Sequence, residues 1–251
     1  MKIDYPAQEQ MGQLRRLWKA AFGDEEWFLD RFFSRVYSPD RCRCITEKGE
    51  VVAALYWLDC RWEGKPLAYL YAVATERNHR GRGLCRALME DTHVLLKKLG
   101  YTGSLLVPGN GELFRMYRKM GYVLCGGIQE FSCRAGETST QLREIPVEEF
   151  ARQRRVYLPE GGILQEGENL IFMRQLYRFY QGKDFLLCAV RDGKRLKGFE
   201  LLGDPEQAPA ILKTLGATEG TFRIPGREKP FAMYQSFTDG QVPKYFGIAF
   251  D

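Results

Sequence analysis

The sequence predicts an α/β (α+β) fold: a mixed, mostly antiparallel sheet flanked by helices in residues 1–135, then a second, smaller α+β domain in residues 136–251. Three observations carry this prediction. Apolar residues recur at helical spacing before Cys42. They give way to dense β-branched and aromatic runs, cut by turn residues, as far as Thr75. Beyond Gly83, helical and extended patterns alternate.

Met11, Leu14, Leu17, Trp18 and Ala21 give a helix from Gln8 to Phe22 one apolar face, and Gly23 stops it. Asp24 is a fair N-cap for a second helix running to about Tyr37. Cys42 to Thr46, Val51 to Trp62 and Leu67 to Thr75 read as three antiparallel strands, because Lys48-Gly49 and Glu63-Gly64-Lys65-Pro66 are hairpin turns. A helix from Gly83 to Leu99 buries Leu84, Leu88, Leu95 and Leu99 and ends at Gly100. Gly103 to Val107 is a short strand, Asn110 caps a helix through Met120, and strand character resumes from Tyr122 to Cys133.

The small, polar stretch from Arg134 to Thr140 lacks periodicity and marks the boundary between the two domains. After it, Val147 to Tyr157 and Glu168 to Tyr180 look helical, and Arg191-Asp192-Gly193-Lys194 joins Phe185–Val190 to Leu196–Leu202 as a hairpin. A short helix from Ala208 to Leu215 and three strand-like runs follow, the last being YFGIAFD, apolar enough for a buried strand. LKKLG at 96–100, with VPG and MY after it, is echoed by LKTLG at 212–216 with IPG and MY, which suggests a duplicated fold. Pro230 breaks the matching helix in the second copy.

Net charge is +5, from 37 Lys and Arg against 32 Asp and Glu, without long runs of one sign. That excludes a dedicated nucleic-acid binder but leaves room for a local basic pocket. The 7 cysteines are scattered, as in a reduced cytoplasmic protein. Cys42-Arg43-Cys44 has no second pair to complete a metal site and reads as part of a strand. With no apolar N-terminal run and no long apolar segment, a cytoplasmic protein without metal, membrane or nucleic-acid partner is expected.

The chemistry concentrates at NHRGRGLCRALMED, residues 78–91. Strand Val73-Ala74-Thr75 leads into Arg80-Gly81-Arg82-Gly83-Leu84-Cys85 and then a helix. A helix N-terminus has N–H groups without intrahelical partners and carries partial positive charge. Glycines let those groups converge and let a bulky anion approach, and the arginines add charge. A diphosphate fits such a nest. The segment is neither a Walker A loop nor a Rossmann fingerprint; two solvated arginines on an ordinary turn are the plain alternative.

This stretch resembles the pyrophosphate-binding motif of the GCN5-related N-acetyltransferases (GNAT), Arg/Gln-x-x-Gly-x-Gly/Ala. Arg80 takes its first place, Gly83 its fourth and Cys85 its sixth, where the family has Gly or Ala. Asn110, Tyr117, Gly121 and Tyr122 resemble the family's Asn-x6-Tyr-x3-Gly-Phe segment, and the likeness covers roughly Ala7 to Cys133. The resemblance implies acetyl-coenzyme A in a V between splayed strands. Val73 and Thr75 would pair with the pantetheine arm, residues 81 to 85 would hold the pyrophosphate with Arg80, and Asn110 would lie beside the coenzyme. It implies an amine attacking the thioester directly, with an oxyanion held by a strand N–H near Val73. Tyr117 would protonate the departing thiolate, and it sits equally well on an apolar stripe with Leu113 and Met120. The second half would resemble the non-catalytic repeat of tandem acyltransferases.

The proton acceptor for the amine is open. Pro66 to Val73 offers Tyr69 and Tyr71 but no carboxylate, and His79 and His93 read as surface groups. Asp59, Glu63, Glu130 and water are the candidates, with a carboxyl terminus at Asp251 a further one. Trp18, Phe22, Trp27, Phe28, Phe32 and Phe33 on the first helices read as core, and Asp24, Glu25 and Glu26 would attract a cationic amine or merely favour a helix N-terminus. The expected acceptor is a small-molecule or peptide amine. The competing expectation is a module that binds coenzyme A or acyl-coenzyme A without catalysis.

Overall fold

The computed structural model describes residues 1–238 and 240–250. In chain order the elements are β1 (Lys2–Asp4), α1 (Met11–Phe22), α2 (Glu26–Arg35), β2 (Cys42–Glu47), β3 (Glu50–Trp62), β4 (Lys65–Thr75), α3 (Leu84–Lys98), β5 (Gly103–Leu106), α4 (Gly111–Arg118), β6 (Val123–Leu124) and β7 (Gly127–Arg134). There follow β8 (Leu142–Glu144), α5 (Val147–Tyr157), β9 (Leu164–Gln165), α6 (Glu168–Leu176), β10 (Arg178–Gly182), β11 (Phe185–Asp192), β12 (Arg195–Gly203), α7 (Ala208–Thr214), β13 (Glu219–Gly226), β14 (Lys229–Pro230) and β15 (Met233–Ser236).

Two sheets result, both mixed. The first runs β1-β2-β3-β4-β5-β15-β6, with β9 added against β3; the second runs β14-β7-β13-β12-β11-β10-β8. The expected division at residues 135/136 falls between β7 and β8, which lie in the same sheet. The halves also exchange strands. β15 pairs with β5 on one side, Tyr234 opposite Leu105, and with β6 on the other, Tyr234 opposite Val123. In return β7 pairs antiparallel with β13 along its full length. The Tyr234 ring crosses Gly103 so closely that a Cβ there would lie 2.4 Å from it.

Alternation along β3 builds both faces of the first sheet. Ala54, Tyr56, Leu58, Cys60 and Trp62 pack with α1, α2, α5 and α6, whereas Val52, Leu55 and Trp57 pack with α3 and α4. The first of these cores continues to Phe150, Phe179, Cys188 and Leu202, so one apolar layer lies between the sheets. A separate core under α7 holds Phe185, Leu187, Ile211 and Phe222.

Local predictions differ from the structure where tertiary contacts outweigh propensity. Tyr177 is extended (φ −123°, ψ 168°), and residues 178–182 form β10 between β8 and β11 rather than extending α6. Phe179 stacks on Phe150 at 3.9 Å, and that contact requires a strand face. Leu99, expected to be buried, is half exposed because α3 ends at Lys98. Tyr245 to Ala249 is buried as expected but is not a sheet strand. Its only β-bridge among the described residues is Gly162 to Tyr245, and Gln165 Nε2 donates to the Ile248 carbonyl at 2.7 Å.

This terminal strap is anchored by a buried ion pair. Arg154 Nε and Nη2 donate to the two Glu200 oxygens at 2.7 and 2.9 Å, and the Tyr245 hydroxyl donates to Glu200 at 3.0 Å. Arg154 and Glu200 are each 1% exposed.

Candidate active site

β4 and β5 pair in parallel only from Leu67 opposite Gly103 to Tyr69 opposite Leu105. Beyond that the strands part. The cause lies on the other edge of β4: Ala54 opposes Ala74 and Tyr56 opposes Tyr71, so Leu55 faces both Ala72 and Val73. This bulge puts Ala72 at φ 49°, a strained value for a residue with a Cβ, and turns the strand outward. No sequence pattern marks it, since alanine gives no sign of a left-handed backbone.

The resulting cleft, about 810 Å³, has Leu70 to Val73 on one arm and Leu106 to Asn110, Leu113 and Tyr117 on the other. Trp18, Asp24 and Phe28 wall it from the first half; Glu130, Arg223, Phe231 and Phe250 wall it from the second sheet and terminal strap. The contribution of Arg223, Phe231 and Phe250 was not legible in the sequence, because no local motif announces strand exchange.

Past β4, Gly81 and Gly83 have φ 77° and 78°, and a Cβ at either would meet nothing within 4 Å. The first intrahelical bond of α3 runs from the Ala87 N–H to the Gly83 carbonyl, so the amides of Leu84 and Cys85 precede the ladder. Leu84 buries its side chain in the core, and burial pushes the Cys85 thiol up to about 11, which keeps it protonated. Arg80 Nε donates to the Thr75 carbonyl at 3.0 Å, which braces the loop. Arg82 turns away instead and forms a fork on Glu47 at 3.0 and 2.8 Å; that partner is distant in sequence. Thr75 lines a different groove along α1, with Gln13 and Arg16.

Asn110 caps α4, its Oδ1 accepting from the Leu113 N–H at 3.0 Å. Tyr117 is 6% exposed and lines the cleft; burial pushes its hydroxyl pKa upward, so the phenol keeps its proton. Its ring meets Tyr122 edge-on at 5.8 Å. The Tyr122 hydroxyl lies 2.8 Å from His93 Nε2 and 2.7 Å from Ser104 Oγ. His93 is therefore a core residue and not the expected surface group; burial pushes its pKa down to about 4. His79 is partly exposed and held 2.7 Å from Glu76.

Of the carboxylates considered, Asp59 lies away from the cleft, 2.7 Å from Arg41, and Glu63 sits in the β3–β4 turn at φ 49°. Glu130 does line the cleft, but it is paired with Lys229 and with Arg223, and the Lys229 hydrogen bond lowers its pKa. Asp251 lies outside the described residues. Among the described residues no cluster of His, Cys, Asp and Glu fits a metal, and no helix is long and apolar enough to cross a membrane.

A two-sheet α/β body thus carries a wedge opened by a bulge and, at the next helix, a glycine nest with room for an anion. Residues 2–125 match the family described as acetyltransferase (GNAT) domain, and this part of the chain belongs to that family. It is an acetyltransferase domain. No curated protein matches the sequence. A GCN5-related N-acetyltransferase from Anabaena variabilis is similar in structure, with TM-score 0.72 and 18% identity over 94% of this chain and 73% of that one. One from Kribbella flavida gives 0.70 and 20% over 94% and 70%, and a putative acetyltransferase from Pyrococcus horikoshii 0.66 and 15% over 98% and 93%. At these identities the likeness is one of fold, and it runs through both halves of the chain.

Proposed function

We propose that the protein is an acetyl-coenzyme A-dependent N-acetyltransferase that acetylates a primary amine by direct attack in a ternary complex. One observation carries the reading: Val73, on the bulged strand, and Tyr117 line the same cleft, and that strand leads to the glycine nest. The nest fits the coenzyme, since the space over Gly81 and Gly83 is open. Residues 81 to 85 with Arg80 would hold the pyrophosphate, Val73 and Asn110 would flank the arm in the cleft, and Thr75 would lie where the strand leaves it. When bound, the coenzyme supplies an acetyl thioester. Within the protein, an N–H near Val73 would face the oxygen where negative charge grows, and Tyr117 would donate a proton toward sulfur. The reading includes a cytoplasmic setting and a small-molecule or peptide amine acceptor; metal, nucleic acid and membrane have no part in it.

Calorimetry with acetyl-coenzyme A and coenzyme A, repeated on Gly83→Glu, tests the site. Micromolar binding that the variant loses is expected, because the new side chain fills the nest with bulk and negative charge. Retained binding refutes the assignment. Binding without thiol release toward any amine identifies instead a coenzyme-binding module.

A further inference from the structure

Asp24 follows Gly23, the left-handed residue (φ 74°) that ends α1. It does not cap α2: the N-cap is Glu25, and no side chain caps that end. The Trp18 indole instead donates its Nε1–H to Asp24 Oδ2 at 2.7 Å, and Trp18 is 1% exposed. The Trp18 ring lies 5.4 Å from Tyr71, the residue before the bulge, so a buried ring links the carboxylate to the splayed part of β4. Among the described residues no lysine or arginine pairs with Asp24, whereas Glu130, the other carboxylate lining the cleft, is taken by Lys229 and Arg223.

The surfaces around Asp24 are aromatic. Phe22, 48% exposed, and Phe28 both lean on Trp18, at 6.1 and 6.4 Å, and Tyr71 meets Phe250 at 5.1 Å. Such ring faces favour flat apolar groups and attract a cation.

We propose that Asp24 seats the ammonium group of the acceptor, and that the acceptor is an arylalkylamine, a primary amine on a flat apolar body. This rests on the acetyltransferase reading above. The ammonium docks on the carboxylate and loses one proton to water before its nitrogen attacks. The C–N bond forms first, leaving the carbonyl electron pair on oxygen; that pair then restores the C=O as the C–S bond breaks, and the thiolate takes the Tyr117 proton. The new amide nitrogen sheds its extra proton, and Tyr117 is reprotonated from solvent. One proton is released for each ammonium acetylated.

Asp24→Asn is the informative variant, because an amide oxygen still accepts the Trp18 N–H and only the charge is lost. With phenethylamine as probe, KM is expected to rise about tenfold or more, the scale of a hydrogen bond to a charged group. The turnover number should stay within a few-fold and the acetyl-coenzyme A affinity should be unchanged. Calorimetric titration of phenethylamine into the protein with coenzyme A should show the same loss. Added salt should raise KM in the wild type and not in the variant, and Asp24→Glu should restore part of the affinity. An unchanged KM in Asp24→Asn overturns the proposal, as does a wild-type preference for an aminosugar or an acidic amine. Absence of acetyl-coenzyme A binding by the wild type, read first, overturns the parent reading and this one together.

Discussion

Tyr117 is at once a packed ring and a cleft hydroxyl, and the two roles separate experimentally. Tyr117→Phe keeps the edge-on contact with Tyr122. It should lower turnover about 10²-fold or more, the usual worth of a positioned general acid, with coenzyme affinity unchanged by calorimetry. An unchanged rate across pH would remove the acid role. His93, behind Tyr122, gives a stability test. Its folded pKa of about 4 lies below the ordinary 6.5. Between these values the unfolded chain binds a proton that the fold refuses, so His93 makes the protein less stable as pH falls through that window and adds no further loss below it. The full effect is roughly 3 kcal/mol at 1.36 kcal/mol per unit. Urea unfolding of wild type and His93→Gln should diverge over that window, and parallel curves would refute the assignment.

At the scale of elements, helices and strands were legible where one periodicity dominated. α1, β2 to β4 and α3 appear close to where composition put them. β10 and the terminal strap were not, because Phe179 and Tyr245 are placed by partners far along the chain. The same limit applies in the site. The glycine nest is a local motif and could be read directly, but the Ala72 bulge and the Glu47 partner of Arg82 are properties of pairing. The strap's anchor is testable. Arg154→Met leaves Glu200 buried without its guanidinium and should cost about 3–5 kcal/mol in urea unfolding. Arg154→Met with Glu200→Leu should recover much of it, and a single variant as stable as wild type would show that the pair holds nothing.

For the molecule as a whole, the two halves of the chain exchange strands across the expected boundary. A chain ending at residue 135 lacks β15, leaving β5 and β6 without their common neighbour, and exposes β7 without β13. It should be insoluble or fail to unfold cooperatively in a calorimetric melt; a soluble fragment with a sharp transition would show that the exchange is dispensable. Fold class and the glycine turn at 81–83 were legible, but this interlocking was not, because nothing local in the MYQS segment at 233–236 distinguishes it from any short strand.

Strand exchange also sets a timetable for the ribosome. Wedge, nest and Tyr117 are all encoded before residue 125, yet the strand that closes the sheet beside β5 is Met233–Ser236. A nascent chain therefore carries every residue of the glycine turn at 81–83 without a finished sheet beside β5 until Met233–Ser236 is made. The edge of β5 stays open until Met233–Ser236 has been made, so a chain cut short before that strand lacks the neighbour that closes it.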